Sequence, residues 1–258
     1  MRVILGDLEI RHSARLIKEL PNGVPVPISN LQKIAKISTN EDLVLFYNYK
    51  FRKQYPLINC KAIFPNMQAS NFCENRIGQC RILDTFPYTL NRTYLEDNNG
   101  LITFDNGFVY KFGNAQQGLE KYLGGKDKGV LTYNDQIIKE EYVSGRSFRM
   151  LFIQKDVFLI EQVNQENWIA NVGPNEEIVM EYKPHNPFHF ILFTISNSIL
   201  DYFNKNNIKS LTWGFDFILG HDGRIGLLEV NDMCGIPEDE RCDNSFINSI
   251  LNTYQEYK

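Results

Sequence analysis

The sequence predicts a mixed chain, α/β at its start and α+β in its larger part, and three observations carry that prediction. The first 60 or so residues alternate short apolar strands with helically spaced segments. The middle is a run of strands with Gly- and Asn-rich connections, and from residue 185 onward a long amphipathic helix, a hairpin and a closing helix follow one another.

In chain order, Val3-Ile4-Leu5 reads as a strand, "SARLIKEL" (13–20) and "SNLQKIAKI" (29–37) as helices, and "DLVLFYNY" (42–49) as an apolar strand. These make a short N-terminal α/β unit over 1–60, with the main domain over 61–258. From Pro65 to Leu83 the apolar positions Met67, Phe72, Ile77 and Leu83 suggest helix, and "YTLNRTYLEDNNG" reads as a polar joint. Strands follow at "GFVYKF" (107–112), "QIIKEEYV" (136–143), "FRMLFI" (148–153) and "DVFLIEQV" (156–163). In "HNPFHFILFTISNSILDYFNKNN" (185–207), Asn186 caps a helix, Pro187 suits its first turn, and Phe188, Ile191, Leu192, Ile195, Ile199, Tyr202 and Phe203 form one apolar face. "NSFINSILNTYQEY" is the closing helix.

Composition narrows the function classes. The 258 residues are 43% hydrophobic, enough to bury a sizeable core. With 27 basic against 31 acidic residues and no block of like charge, nothing points to nucleic acid. Five cysteines without a C-x-x-C pair fit neither a disulfide framework nor a zinc ribbon, which implies a reducing compartment. "MRVILGDLEI" lacks a signal-peptide pattern, and no apolar stretch reaches the roughly 18 residues of a membrane span, so a cytoplasmic protein without a membrane partner is expected.

The chemistry concentrates in "GFDFILGHDGRIGLLEVND" (214–232). A two-residue turn at Asp222-Gly223 pairs His221 with Arg224 and sets Asp216 opposite Glu229. Asn231 then shares their face, while Phe215, Phe217, Leu228 and Val230 point into a core. Directly opposed acids cost stability, so a positive charge belongs between them. A hard divalent ion suits two carboxylates and an amide oxygen. The alternatives are a register slipped by one, or a Lys or Arg that neutralises the pair.

Upstream, "VYKFGNAQQG" (109–118) places Phe108, Tyr110 and Phe112 on one strand face and Val109 with Lys111 on the other. The strand leads into a loop bounded by Gly113 and Gly118, able to offer N–H groups to phosphate oxygens beside a lysine charge. It is no P-loop, because Leu119-Glu120 stands where Lys-Ser/Thr would.

Strand lysine, small-residue loop, "KEEYVSG", long helix and D…E-x-N, in that order, resemble the ATP-grasp superfamily from about Cys60 to the end. The branch most similar is that of the ribosomal-protein glutamate ligase and related carboxylate-amine ligases. The resemblance implies two α/β lobes holding ATP between them. It implies that Lys111 contacts the phosphates beneath a loop containing Gly113, Asn114, Gln116, Gln117 and Gly118. Glu140, Glu141, Tyr142 and Val143 would hold adenine at the hinge, with Ser147 nearby. Asp216, Glu229 and Asn231 would coordinate Mg2+, with Mn2+ as an alternative. Arg149 would lie near the transferred phosphoryl group, and Asn171 matches an asparagine of the loop before the long helix; a plain salt bridge and a turn cap are the alternatives.

Several positions depart from the pattern. Gly145, Arg146 and Ser147 stand where relatives carry an acid for the ribose. Ile169-Ala170-Asn171 replaces Arg-Ser-Asn, which argues against glutamate as the added amino acid. "NDMCG" puts Cys234 beside the ligand positions, read here as a small buried side chain. The implied activity is an ADP-forming C–N ligase working through an acylphosphate on an amino-acid, peptide or protein substrate, with oligomeric state left open. A kinase that stops at phosphoryl transfer, and a nucleotide-binding module without turnover, are the alternatives.

Overall fold

The computed structural model describes residues 1–6, 10–20, 22–26, 32–46, 57–95, 101–112, 121–127, 130–132, 137–164 and 175–258. The chain begins with β1 (Val3–Gly6), α1 (Ile10–Glu19), β2 (Gly23–Val26), α2 (Gln32–Ile37), β3 (Leu43–Phe46) and β4 (Ala62–Phe64), whose strands form a parallel sheet in the order β2-β1-β3-β4. A parallel sheet is covered on both faces, which is why β1 and β3 read as unbroken apolar runs. Leu5 and Leu45 pack on one side with Leu16 of α1, and Ile4 and Val44 on the other with Ile34 of α2. The fourth strand comes from beyond residue 60, where the sequence placed the end of this unit.

Helix α3 (Met67–Glu74) and α4 (Arg76–Leu83) occupy the segment expected to be helical, broken at Asn75, whose side chain accepts from the Gly78 N–H at 2.9 Å and so caps the second helix. Four more strands, β5 (Arg92–Leu95), β7 (Phe108–Phe112), β8 (Lys121–Leu123) and β10 (Ile137–Glu141), make an antiparallel sheet in the order β5-β10-β7-β8; β6 (Leu101–Thr103) and β9 (Val130–Thr132) pair separately. The expected polar joint thus contains strand β5.

A five-stranded antiparallel sheet, β13-β12-β11-β14-β15, completes the molecule with β11 (Gly145–Ile153), β12 (Asp156–Asn164), β13 (Asn175–Met180), β14 (Thr212–Gly220) and β15 (Ile225–Asp232). The long helix α5 (Pro187–Lys205), capped by Asn186 as expected, covers one face through Leu192, Ile195, Ile199 and Phe203 against Phe148, Met150, Phe152, Phe215 and Phe217. The other face changes character along each strand. On β11, Leu151 and Ile153 pack beneath α6 (Glu240–Tyr257) and its Phe246, Ile247 and Ile250, while Arg149 and Ser147 on the same face lie beyond the helix. That uncovered end faces the four-stranded sheet.

The hairpin of β14 and β15 reaches the expected Asp216–Glu229 pairing by a different route. Gly220, not His221, pairs with Arg224 (Gly220 N–H to Arg224 O, 2.8 Å), so the loop is the three residues 221–223. Gly223 takes a left-handed conformation, φ +82°, as the last residue of such a loop does. This offsets the register by one, and a bulge between Asp216 and Phe217 restores it, with Leu228 as the extra residue. As a correction to the sequence reading, Leu227 therefore enters the core and Leu228 turns toward the cavity described next.

Candidate active site

Between the two antiparallel sheets lies a cavity of about 730 Å³, counting its open mouth, lined by charged residues from both sides. The four-stranded sheet contributes its charged face. Register sets Arg92, Glu140 and Val109 in one cross-strand row and Ile138, Lys111 and Lys121 in the next. Glu140 is buried and held from two sides, by Lys111 Nζ at 2.5 Å and Arg92 Nε at 2.6 Å. Burial alone would raise its carboxyl, but Lys111 and Arg92 outweigh that and hold it below the ordinary glutamate value. Arg92 further donates to Asp84 at 2.7 Å and to the carbonyls of Leu227 and Leu228 at 2.8 and 3.1 Å.

Those last bonds tie one sheet to the bulge of the other. Gln79 completes the clasp on β15: its side chain donates to Val230 O at 2.7 Å and accepts from Val230 N–H at 3.1 Å, as a neighbouring strand would. Strand β15 is thereby fixed on both sides of Glu229.

The five-stranded sheet contributes a cross-strand row of Arg149, Asp216 and Glu229. The two acids do oppose each other. The positive charge their pairing calls for is supplied by side chains: Arg149 holds Asp216 in a bidentate pair, Nε to Oδ1 at 2.7 Å and Nη2 to Oδ2 at 3.0 Å, and Lys121 Nζ stands 3.7 Å from Glu229 Oε2. Lys121, chiefly, holds the Glu229 carboxyl down to about 2. Burial lowers the Lys121 ammonium in turn. Asn231 bridges the acids as a donor, 3.1 Å to Asp216 and 3.5 Å to Glu229. The opposed pair alone thus does not require a metal, which corrects the strongest form of the sequence argument. Among the described residues no three His, Cys, Asp or Glu gather as a metal cluster. The set of two carboxylates and an amide nonetheless fits a hard divalent cation in donor chemistry.

Arg149 keeps its position because residue 214 lacks a side chain. A Cβ there would meet Cys234 Sγ at 2.8 Å and Arg149 Cδ and Nε at 3.2 Å. Gly214→Ala is expected to cost about 1–3 kcal/mol and to weaken any activity that needs Arg149, with Cys234→Ala in the same chain recovering part of the stability in thermal unfolding. Cys234 itself is buried, and that burial pushes its thiol up to about 12.

Glu141, Tyr142, Val143 and Ser147, expected near the adenine, line the cavity, but two backbone donors are already engaged: Glu141 N–H with Asn91 O at 3.0 Å and Tyr142 N–H with Gly107 O at 2.8 Å. A side chain at Gly145 would collide with the Leu219 carbonyl, 2.0 Å from its Cβ, and Arg146 turns outward to Glu161 at 2.6 Å, so of these three positions Ser147 is the one that faces the cavity. Gln162, directly across from Ser147, lines the cavity instead. Gly113, Asn114, Gln116, Gln117, Gly118, Ile169 and Asn171 lie outside the described residues.

Sequence reasoning missed Lys121, Arg92, Gln162 and Gln79. For Lys121 a signal existed: "KFGNAQQGLEK" has a lysine at each end of the glycine loop, and a hairpin puts them opposite each other, as observed for Lys111 and Lys121.

No protein-family model matches this chain, and no curated protein matches it in sequence. Solved structures do. D-alanine–D-alanine ligase from Bacillus anthracis complexed with ATP superposes with a TM-score of 0.63 at 14% identity, covering 99% of this chain and 98% of that one. The ATP-grasp ligase PsnB, complexed with minimal precursor, Mg and ADP, gives 0.58 at 13% identity over 97% and 96% of the two chains. A RiPP-associated ATP-grasp ligase of Chryseobacterium gregarium, in complex with ADP and a leader and core peptide, gives 0.60 at 9% over 98% and 97%. The chain has the ATP-grasp fold, with an N-terminal parallel α/β sheet and two antiparallel sheets. Among the described residues no helix is long and apolar enough to cross a membrane.

Proposed function

We propose that this protein is an ATP-dependent carboxylate-amine ligase, ADP-forming, acting on an amino acid, a peptide or a protein segment. The observation that carries the reading is the cavity itself: two lysines on one sheet face two opposed acids on the other across it, and one of those acids, Asp216, is paired with Arg149. Fold similarity to ligases solved with ATP or ADP agrees with it. Support for the branch of the ribosomal-protein glutamate ligase remains the motif order alone.

In this reading Lys111, fixed by Glu140, contacts the nucleotide phosphates, and the loop of Gly113, Asn114, Gln116, Gln117 and Gly118 covers them. Backbone groups of Tyr142 and Val143 receive the base, and Ser147 with Gln162 faces the ribose. Mg2+, held by Asp216, Glu229 and Asn231, would neutralise polyphosphate charge. An oxygen of the acceptor carboxylate attacks the terminal phosphorus and ADP leaves; an amine then attacks the acyl carbon, phosphate leaves and the amine loses a proton. Arg149 stabilises charge on the moving phosphoryl group, so catalysis is positioning and electrostatics. No side-chain nucleophile is needed.

A nucleotide-binding module without turnover is the second reading, favoured by the closed Arg149–Asp216 pair. An ADP-release screen over amino acids and peptides, with mass measurement of the product, separates the two. Amine-dependent ADP release with a product lighter by one water than its two substrates supports the ligase. Release of ADP with a phosphorylated product indicates a kinase, and MgATP binding without turnover across the screen favours the module.

A further inference from the structure

The two lysines of the cavity are not equivalent. Lys111 and Lys121 face each other directly across the β7–β8 pair, an arrangement that two like charges disfavour unless each is offset. Lys111 is offset by contact with Glu140 at 2.5 Å. Lys121, only 11% exposed at its side chain, has one ion-pair partner among the described residues, Glu229 at 3.7 Å, and no hydrogen bond. That separation is beyond hydrogen-bond range, so the ammonium stands in a largely buried position at the cavity wall with no acceptor within reach among the described residues. A buried cation left so is costly unless an anion is to come.

We propose that Lys121 is a second phosphate-side binding residue, the mobile partner to the fixed Lys111, whose ammonium leaves Glu229 for the terminal phosphate oxygens of the bound nucleotide. The inference rests on the nucleotide reading above. In the ligand-free protein Lys121 offsets the Glu229 charge, and its departure frees that carboxylate at the moment the polyphosphate arrives.

Calorimetric titration of the full chain with ATP, ADP and adenosine tests this. Lys121→Gln is expected to weaken ATP and ADP about ten- to a hundredfold while adenosine stays within twofold, and Lys121→Arg, which keeps the charge, to bind ATP within about threefold of the unaltered protein. ATP bound by Lys121→Gln within twofold of the unaltered protein overturns the proposal, as does an equal loss for adenosine. An unaltered chain that binds no nucleotide at all overturns the nucleotide reading and the proposal together, so the two failures are distinguishable. Should Lys121→Gln not fold, Lys121→Gln with Glu229→Gln leaves no carboxylate unpaired. Measured against Glu229→Gln alone with ADP in metal-free buffer, it should show the same tenfold or greater loss; equal affinity overturns the proposal.

Discussion

Glu140→Gln is expected to lower stability by about 3–5 kcal/mol, seen as a lower denaturant midpoint at neutral pH, and to abolish nucleotide affinity that depends on Lys111. Glu140 is 2% exposed and is the shared counter-charge of Lys111 and Arg92, both themselves buried. An amide keeps the shape but leaves Lys111 without its anion and Arg92 with Asp84 alone, and that uncompensated charge, rather than the lost hydrogen bonds, sets the size of the effect. Loss of Glu140 also loosens Arg92, which pins the Leu227 and Leu228 carbonyls beside Glu229, so damage on one sheet is transmitted to the acids on the other. The pH dependence has a definite sign. The folded carboxyl lies below its ordinary value, so the unfolded chain takes up its proton first; the stabilisation is complete above the ordinary glutamate value of about 4.3 and is lost as pH falls through the lower folded value. Glu229, held down to about 2 mainly by Lys121, adds a loss of the same sign between its ordinary value and about 2. Glu140→Gln should lack the first of these, so its stability should fall less steeply on acidification. A variant within 1 kcal/mol of the unaltered protein would mean that Lys111 and Arg92 find other partners.

Much of this site was legible in the sequence because it depends on strand parity. Period two places Lys111 with Val109, and Ser147 with Arg149, whatever the rest of the fold does, and the structure keeps each pair on the cavity side. Helix α5 was legible for a related reason: cap, first-turn proline and apolar face agree along one segment. Of the strands that escaped notice, β2, β4, β5, β6, β8 and β9 are three or four residues long, and so short a run carries almost no periodic signal; β13, with six residues, was missed as well. Arg92 was lost with β5, since its role depends on pairing with Glu140, 48 positions away. The Asp216–Glu229 pairing was reached through a turn of the wrong length, and a bulge cancelled the error; Asp-Gly is equally at home in two- and three-residue hairpin loops, and the choice between them shows only in Leu227 and Leu228. The identity of the charge between the acids was not legible at all. Arg149 lies 67 positions from Asp216 and Lys121 108 from Glu229, so only the assembled sheets say that cations of the chain itself sit there.

That closed arrangement makes a second large effect testable. Arg149→Met is expected to reduce turnover about a hundred- to a thousandfold, because a fixed cation near the transferred phosphoryl group is lost, and to destabilise the nucleotide-free protein by about 3–5 kcal/mol. The stability loss has its own cause: Asp216 is 6% exposed and loses its bidentate cation, keeping only the hydrogen bond from Asn231. It also opens the acid pair. In the unaltered protein a divalent cation must displace the guanidinium from both Asp216 oxygens before it can bind, so Mg2+ alone should leave the unfolding temperature almost unchanged. In Arg149→Met the same ion meets a vacated carboxylate beside Glu229 and should restore stability, by about 2.7 kcal/mol at a concentration a hundred times its dissociation constant. Adding Asp216→Asn to Arg149→Met removes the buried charge that needs compensation, so the double variant should be more stable than Arg149→Met in metal-free buffer and unresponsive to Mg2+. A metal-independent Arg149→Met would show that Asp216, Glu229 and Asn231 hold no divalent ion, and the arginine would then stand as a structural cross-link between β11 and β14.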